Sequence, residues 1–235
     1  MAETGSTNAD LAARLARGGG LQEDDWLIAD RQTAGRGRQG RAWFDGLGNF
    51  MGSTIVRERF GDPPLPSLAL VAGLAVHAAV SARIPPPARA VLKWPNDVMV
   101  GAAKLAGILL ERKGDAVVIG FGVNLAVAPP VEGRETLALS GFGPVPDRDL
   151  FARDLAVAFA AELMRWRDFG IGPLIARWRA AAHPVGTALA VGEPGEIPLH
   201  GKFAGLDEHG ALLLALPDGT TRTIHAGEVR LADPA

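Results

Sequence analysis

The spacing of the apolar residues changes at Pro184, and this change limits the possible folds more than any other feature of the sequence. Before Pro184, stretches with helical spacing alternate with short apolar strands. After it the helical spacing disappears, and Gly, Pro and Asp-Gly turns separate short apolar strands at 185–191, 195–207, 210–216 and 220–229. Such strands are typical of a small β-barrel. We therefore predict an α+β domain at 1–183 and a small all-β domain at 184–235.

The first domain combines both kinds of pattern. Its predicted helices are 7–17, 67–83, 147–169 with Asp147 as N-cap, and a shorter one after Pro173. Its predicted strands are 26–30, one that starts at Phe50, 90–94, 97–101, 104–112 and 115–127, the last two joined as a hairpin at Lys113-Gly114. The apolar run 65–82 contains Pro66, Ser67, His77 and Ser81. We therefore expect a buried core helix there rather than a membrane span.

Composition excludes several classes of function. The net charge of −2 provides no global basic field that would attract nucleic acid or a membrane surface. The absence of cysteine excludes disulfides, thiolate zinc sites and thiol nucleophiles. The N-terminus lacks the basic and apolar regions of a signal peptide, so we expect a cytoplasmic protein.

The segment "QTAGRGRQGRAWF", 32–44, is the strongest candidate for an anion-binding loop. Gly35, Gly37 and Gly40 match G-x-G-x-x-G, but no helix start follows, so a dinucleotide site is poorly supported, and no Walker Gly-Lys-Ser/Thr occurs. The three arginines suit phosphate or carboxylate oxygens, and the glycines let the main chain approach a ligand. A solvated basic turn, or a nucleic-acid contact with Trp43 and Phe44 as stacking platforms, remains an alternative.

Three further polar clusters lie at element ends. "KWPND" breaks a strand, and its Asn96-Asp97 pair fits either a simple turn or a site for hydrated Mg²⁺ or a ribose. Lys104 starts an otherwise apolar strand, where it either reaches the surface or enters a site. "STN" at residues 6–8 starts a helix, and N-capping explains only one of its side chains.

Five motifs in order together resemble one family, the biotin protein ligases: "GSTN", "QTAGRGRQGRAW", "KWPND", "KLAGIL" and "GFGVN". Each motif is weak alone, and the ordered set, which spans residues 5–125, is specific. The resemblance implies a mixed β-sheet catalytic domain of the class II synthetase-like, biotin–lipoate ligase type, followed by an SH3-like β-barrel. It also implies that ATP and biotin form biotinyl-5′-AMP, from which biotin passes to a lysine of a biotin carboxyl carrier protein.

The resemblance also assigns residues. Lys104 and Arg38 are the expected catalytic residues. The expected biotin-binding residues are Ser6, Thr7, Asn8, Gln32, Gly35, Arg36, Gly37, Arg38, Trp43, Lys104, Gly107 and Gly122. The expected ATP-binding residues are Arg38, Arg41, Trp43, Asn96, Asp97, Lys104 and Asn124, with Mg²⁺ accompanying ATP near Asn96 and Asp97. No tightly bound cofactor is implied. Gly5 and the pair Met51-Gly52 depart from residues common in the family, which leaves the packing of that corner open.

Partners and rivals follow from the same comparison. The carrier domain of a carboxylase is the expected protein partner, and a homodimer is one option that the sequence leaves open. No winged helix precedes the first motif, so we expect no operator-DNA binding. The nearest rival is a lipoate or octanoate ligase or transferase of the same fold, and a more distant one is a single-strand nucleic-acid-binding module.

Overall fold

The computed structural model describes residues 1–44, 46–131, 133–193 and 197–232. Its strands are β1 (Glu3–Thr4), β2 (Trp26–Ala29), β3 (Arg31–Gln32), β4 (Phe50–Arg57), β5 (Ala90–Lys93), β6 (Asp97–Val100), β7 (Ala103–Lys113), β8 (Ala116–Val123), β9 (Ala188–Gly192), β10 (Leu199–Leu206), β11 (Leu212–Ala215), β12 (Thr221–Ile224) and β13 (Glu228–Leu231). Its α-helices are α1 (Thr7–Ala16), α2 (Leu68–Ser81), α3 (Arg148–Phe169) and α4 (Ile171–Ala181). All four predicted helices and the predicted hairpin of the first domain are present.

A six-stranded sheet in the order β2-β4-β8-β7-β6-β5 forms the centre of the first domain. All its ladders are antiparallel, and the parallel pairing of the described residues lies in the short β1–β3 ladder and two isolated bridges. The parallel and antiparallel pairings expected from the resemblance are therefore both present, but their ladders lie in separate sheets. Along β8, Val118 packs with α1, whereas Val117 and Ile119 belong to the main core on the other face. This alternation follows from the two-residue period of a strand.

The helices on the main-core face begin and pack as their sequences predict. The Asp147 carboxylate caps α3 by accepting hydrogen bonds from the backbone N–H groups of Asp149 and Leu150 at 2.9 and 2.8 Å. Trp166 of α3 is fully buried and donates its Nε1–H to Ser67 at the start of α2, at 2.8 Å. α2 is the buried core helix that the sequence predicts, and no described helix is long and apolar enough to cross a bilayer.

The C-terminal segment forms a five-stranded antiparallel sheet in the order β12-β11-β10-β9-β13. Its buried Phe203, Leu212 and Leu214 belong to the same apolar cluster as α2 and the six-stranded sheet. Residues 195–196 of the predicted strand 195–207, and residues 233–235, lie outside the described residues. The predicted boundary at residue 184 falls between α4 and β9, and it stays a prediction because the two parts share one core.

Candidate active site

A cavity of about 860 Å³ lies between the N-terminus of α1, residues 32–44 (the glycine–arginine loop), the "KWPND" turn and β13. Most of the predicted site residues line it: Ser6, Thr7, Asn8, Gln32, Arg36, Gly37, Arg38, Arg41, Trp43, Asn96, Asp97, Lys104, Gly107, Gly122 and Asn124. Gly35 is buried but does not line the cavity, and its carbonyl accepts the Trp43 N–H at 2.9 Å. Gly35 therefore closes the loop. Met51 is fully buried outside the lining.

One end of the cavity carries a buried chain of neutral polar groups. The Gln32 Oε1 atom accepts hydrogen bonds from the Thr7 backbone N–H at 2.8 Å and from the Thr7 hydroxyl at 3.1 Å. The Thr7 and Ser53 hydroxyl oxygens lie 2.7 Å apart, and Ser53 donates to Asn8 Oδ1 at 2.6 Å. Asn8 in turn donates to Glu111 at 2.9 Å. These bonds orient the amide groups in advance of any ligand.

Ser6 has a separate role as the N-cap of α1, because its hydroxyl accepts the Ala9 N–H at 3.4 Å. Ser53 and Glu111 were missed from the sequence. Ser53 is a polar residue in the mostly apolar strand β4, and it lies on the face opposite to the core residue Val56. A polar side chain on that face is the sequence signal that could have identified it. Glu111 follows the apolar part of β7 and carries no comparable signal.

The glycine–arginine loop is a closed structure that reaches both other walls of the cavity. Trp43 and Gly35, and Gly37 and Arg41, are joined by backbone hydrogen bonds across it. Arg38 donates to Asn96 Oδ1 and to the Gly227 carbonyl, each at 3.3 Å. Burial lowers the pKa of Arg38, and the Asp97 carboxylate opposes that shift. These contacts argue against a merely solvated basic turn.

The Trp43 ring lies against two glycines of the central sheet. A Cβ atom built on Gly122 would lie 2.2 Å from Trp43 Cε2, and one built on Gly107 would lie 3.0 Å from Trp43 Cζ3. The Lys104 ammonium is 5.6 Å from the Trp43 ring centroid. Trp43 Nε1 is buried without a hydrogen-bond partner among the described residues. Because buried donors are normally paired, this N–H is available to a ligand.

Three charged side chains meet at the base of the cavity. The Asp97 carboxylate lies 2.5 Å from Lys104 Nζ and 3.0 Å from Lys93 Nζ, and all three side chains are largely buried. Burial alone would raise the pKa of Asp97, but the charges of Lys104 and Lys93 outweigh it and hold that pKa well below its usual range. Burial lowers the pKa of Lys104, and Asp97 opposes this. Lys93 was not predicted as a site residue.

This arrangement does not support Asp97 as a direct magnesium ligand. Each of its oxygens already lies against an ammonium group, and the described residues contain no group of three His, Cys, Asp or Glu side chains placed to hold a metal ion. Two predicted neighbours also serve the fold. Asn96 donates to the Ile108 carbonyl at 2.6 Å, and Asn124 donates to the Leu137 carbonyl at 3.0 Å. Both thereby fasten loops that border the cavity.

The C-terminal sheet supplies the fourth wall, a contribution that was not predicted. Glu228 Oε1 lies 2.9 Å from Arg41 and 2.8 Å from Arg134. Burial would raise the pKa of Glu228, but its hydrogen bonds to arginine lower it overall. The neighbouring Val229 carbonyl accepts a hydrogen bond from Lys93 at 2.9 Å. Because these partners are far apart in the chain, no local motif reveals them.

The cavity therefore has two chemically different ends. Neutral donors and acceptors line the end formed by α1, whereas Arg38, Arg41, Lys104 and Arg134 surround the other. A ligand that fits both carries an uncharged polar head group and an anionic tail. The concentration of cations beside that tail is suited to bringing two anions together.

Comparisons with known proteins agree with this geometry. Residues 6–124 match the biotin/lipoate A/B protein ligase family, and residues 191–231 match the biotin protein ligase C-terminal domain. The chain is 39% identical to the biotin–[acetyl-CoA-carboxylase] ligase of Paracoccus denitrificans, over 97% of this chain and 98% of that protein. It is also 39% identical to the Mycobacterium tuberculosis ligase of the same name, over 97% of this chain and 86% of that protein.

The fold is similar to that of the biotin protein ligase from Aquifex aeolicus, solved in complex with biotin and ATP. The TM-score is 0.84 at 26% sequence identity, and the match covers 99% of this chain and 97% of that one. The resemblance predicted from the five motifs and the predicted fold class are both confirmed.

Proposed function

The chain belongs to the biotin/lipoate A/B protein ligase family, and on that premise we propose that it is an ATP-dependent biotin–[biotin carboxyl carrier protein] ligase. It condenses biotin with ATP to biotinyl-5′-AMP and then transfers biotin to a carrier lysine. The observation that carries this proposal is the cavity with a neutral polar end and a cationic end. The names of the similar ligases favour biotin over lipoate.

Recognition of biotin is assigned to the neutral end. The ureido group of biotin has donors and an acceptor, and each such atom left unpaired on burial costs about 1–3 kcal/mol. The preoriented chain of Gln32, Thr7, Ser53 and Asn8 supports this assignment. The apolar ring and valeryl chain of biotin then lie along Trp43 towards Lys104.

Adenylate formation is assigned to the cationic end. A biotin carboxylate oxygen attacks the α-phosphorus of ATP, a C–O–P anhydride forms, and the bond to the β-phosphate oxygen breaks to release pyrophosphate. The repulsion between the two anions is the main electrostatic obstacle, and fixed cations reduce it. Lys104 and Arg38 have the position and charge for this role. Mg²⁺ enters with ATP and neutralises part of the phosphate charge.

Transfer requires that the mixed anhydride survive until the carrier arrives. The neutral amine of the carrier lysine attacks the acyl carbon, an amide forms, and the bond to AMP breaks, so that AMP and the proton lost by the amine are released. The glycine–arginine loop is bonded to both the "KWPND" turn and the C-terminal sheet through Arg38. That closure supports a role for the loop in keeping water from the adenylate.

A single set of reactions tests the proposal. The protein is incubated with Mg²⁺-ATP, a purified biotin carboxyl carrier domain and either biotin or lipoate, and pyrophosphate and the mass of the carrier are followed. We expect pyrophosphate and a biotinylated carrier with biotin alone, and neither product from Lys104→Ala with an unchanged melting curve. Lipoylated carrier without biotinylated carrier would overturn the proposal.

Three predictions of the sequence extend this proposal. We propose that the protein works in the cytoplasm without binding operator DNA, which the net charge of −2 supports. A gel-shift assay at physiological salt tests the second point. Sedimentation with and without biotinyl-5′-AMP tests whether the protein forms a homodimer.

A further inference from the structure

We propose that Lys93 is a positioning residue for the ligase reaction, because its charge balances Asp97 and thereby leaves Lys104 with a net positive charge towards the substrates. This inference rests on the proposed function and goes beyond the roles that the motifs imply. Lys93 is not among the residues assigned above to the binding of biotin or ATP. The chain offers a direct comparison, since it contains four lysines: Lys93, Lys104, Lys113 and Lys202.

The geometry places one carboxylate between two ammonium groups. Lys104 Nζ and Lys93 Nζ lie 2.5 and 3.0 Å from different oxygens of Asp97. The side chains of Lys93 and Asp97 are each 8% exposed, so little water screens them. One negative charge thus faces two positive charges, and the group carries a net charge of +1. Lys93 is held in place by Asp97 and the Val229 carbonyl.

The net charge decides what Lys104 can offer to an anion. In a group with Lys104 and Asp97 alone, the carboxylate would cancel most of the field of the ammonium at any distance larger than their separation. With Lys93 present, Asp97 is shared, and a positive charge remains at the cavity. A carboxylate at this position would otherwise repel both biotin and ATP. Lys93 therefore makes it possible for Asp97 to orient Lys104 without neutralising it.

Other charged groups near the cluster do not replace Lys93. Arg38 and Arg134 lie on the cavity side of the cluster. Arg38 is hydrogen-bonded to Asn96, and Arg134 is hydrogen-bonded to Glu228. His183 lies beside β5, where its backbone N–H donates to the Leu92 carbonyl at 3.3 Å. Burial lowers the pKa of His183, and the charges of Lys93 and Arg89 lower it further. Within the described residues, Lys93 is the second ammonium group that contacts Asp97.

The alternative role for Lys93 is mechanical. Its hydrogen bond to Val229 and the one from Trp94 Nε1 to the Gly210 carbonyl both attach the strand β5 and the turn after it to the C-terminal sheet. A brace of this kind depends on the hydrogen bond and not on the charge of Lys93. The two roles therefore predict different responses to a neutral residue that still donates a hydrogen bond.

The test measures biotin-dependent pyrophosphate release in four variants of the full chain. Lys93→Gln removes the charge and keeps a donor for the Val229 carbonyl, whereas Lys93→Met removes both. We expect kcat/KM for biotin to fall roughly ten- to hundredfold in both, less than the hundred- to thousandfold typical for a group at the reacting atoms. Lys93→Gln/Asp97→Asn restores the net charge of +1 but also replaces the carboxylate that orients Lys104, so it should recover part of the loss. Lys113→Met, at an exposed position of β7, is the matched control and should change kcat/KM less than about twofold.

Two results would overturn the inference: wild-type kinetics in Lys93→Gln, whether or not Lys93→Met loses activity, or a double variant no better than Lys93→Gln. Thermal melts accompany each assay, and should Lys93→Met fail to fold, the comparison of Lys93→Gln with the double variant decides. Failure of the proposed function is separate, because the wild-type chain would then release no pyrophosphate with biotin.

Discussion

The substitution Gly122→Ala should weaken ligand binding in the cavity while changing the stability of the fold little. A Cβ at this position would lie 2.2 Å from Trp43 Cε2 and 2.3 Å from Cζ2, whereas carbon atoms in contact are about 3.5 Å or more apart. The Trp43 ring or the backbone of β8 must therefore move by roughly 1.3 Å. β8 is bonded to β4 and β7 on its two sides, and Trp43 lies in a loop, so the ring moves.

The size of the effect follows from what the ring loses. The full burial of an aromatic side chain lowers its free energy by about 1.5–3 kcal/mol. The burial of a half-buried ring such as Trp43 is worth about half of that. A ring displaced from Gly122 and Gly107 no longer forms the wall along which the ligand lies. We expect biotin binding to weaken about tenfold, which corresponds to about 1.4 kcal/mol. The free energy of unfolding should change by less than about 1 kcal/mol, because Gly122 does not have a positive φ and Trp43 lies in a loop.

Calorimetric titration of biotin, with and without ATP, measures this effect directly. Gly107→Ala is the graded comparison, since its Cβ would meet both Trp43 Cζ3 and Lys104 Nζ at 3.0 Å and requires a smaller shift of the ring. Gly143→Ala is the control, because its Cβ would enter open space. Biotin affinity within twofold of the wild type in folded Gly122→Ala would show that Trp43 does not form the ligand wall.

The other predictions concern the two ends of the cavity and its loop. A Cβ at Gly120 would lie 2.3 Å from Asn8 Oδ1, so Gly120→Ala should break the buried polar chain, lower the melting temperature and weaken biotin binding more than ATP binding; equal effects on both ligands would contradict this assignment. Arg38→Gly removes both bonds by which that side chain closes the loop, and mass spectrometry should find biotin on lysines of unrelated proteins; unchanged carrier specificity would exclude a lid role. Burial lowers the pKa of Lys104, with Asp97 in opposition, and the ammonium form is the one that attracts anions. Pyrophosphate release should therefore fall as pH rises through that lowered pKa, at a pH below the ~10.4 of a free lysine, and a decline only above that value would argue against Lys104.

The sequence predicted the helices and strands well where they depend on interactions between residues close together in the chain. The Asp147 cap depends on residues two and three positions away, and the β7–β8 hairpin depends on a turn at Gly114, whose φ is 62°. Both were predicted with the correct type and place. The extent of α2 was also predicted, because a long and mostly apolar run without charged residues must be buried.

Side chains that meet through the fold were predicted only where a motif carried them. Lys104 and Arg38 stand in recognisable motifs, whereas Glu228 meets Arg41 across 187 positions of the chain and Arg134 across 94. Lys93 stands in a motif, yet its contact with the Val229 carbonyl is also tertiary. Single-sequence patterns contain no information about such pairs, so the fourth wall of the cavity was missed.

The position of β13 limits how the C-terminal segment could be exchanged between related proteins. Its Glu228 and Val229 meet side chains from the glycine–arginine loop and from β5, so the last described strand forms part of the same cavity as those two elements. A hybrid that joins the first 183 residues to the C-terminal segment of a distant relative would contain mismatched charges at the cationic end of the cavity. Successful exchanges should therefore carry the partners of those two residues along with that segment.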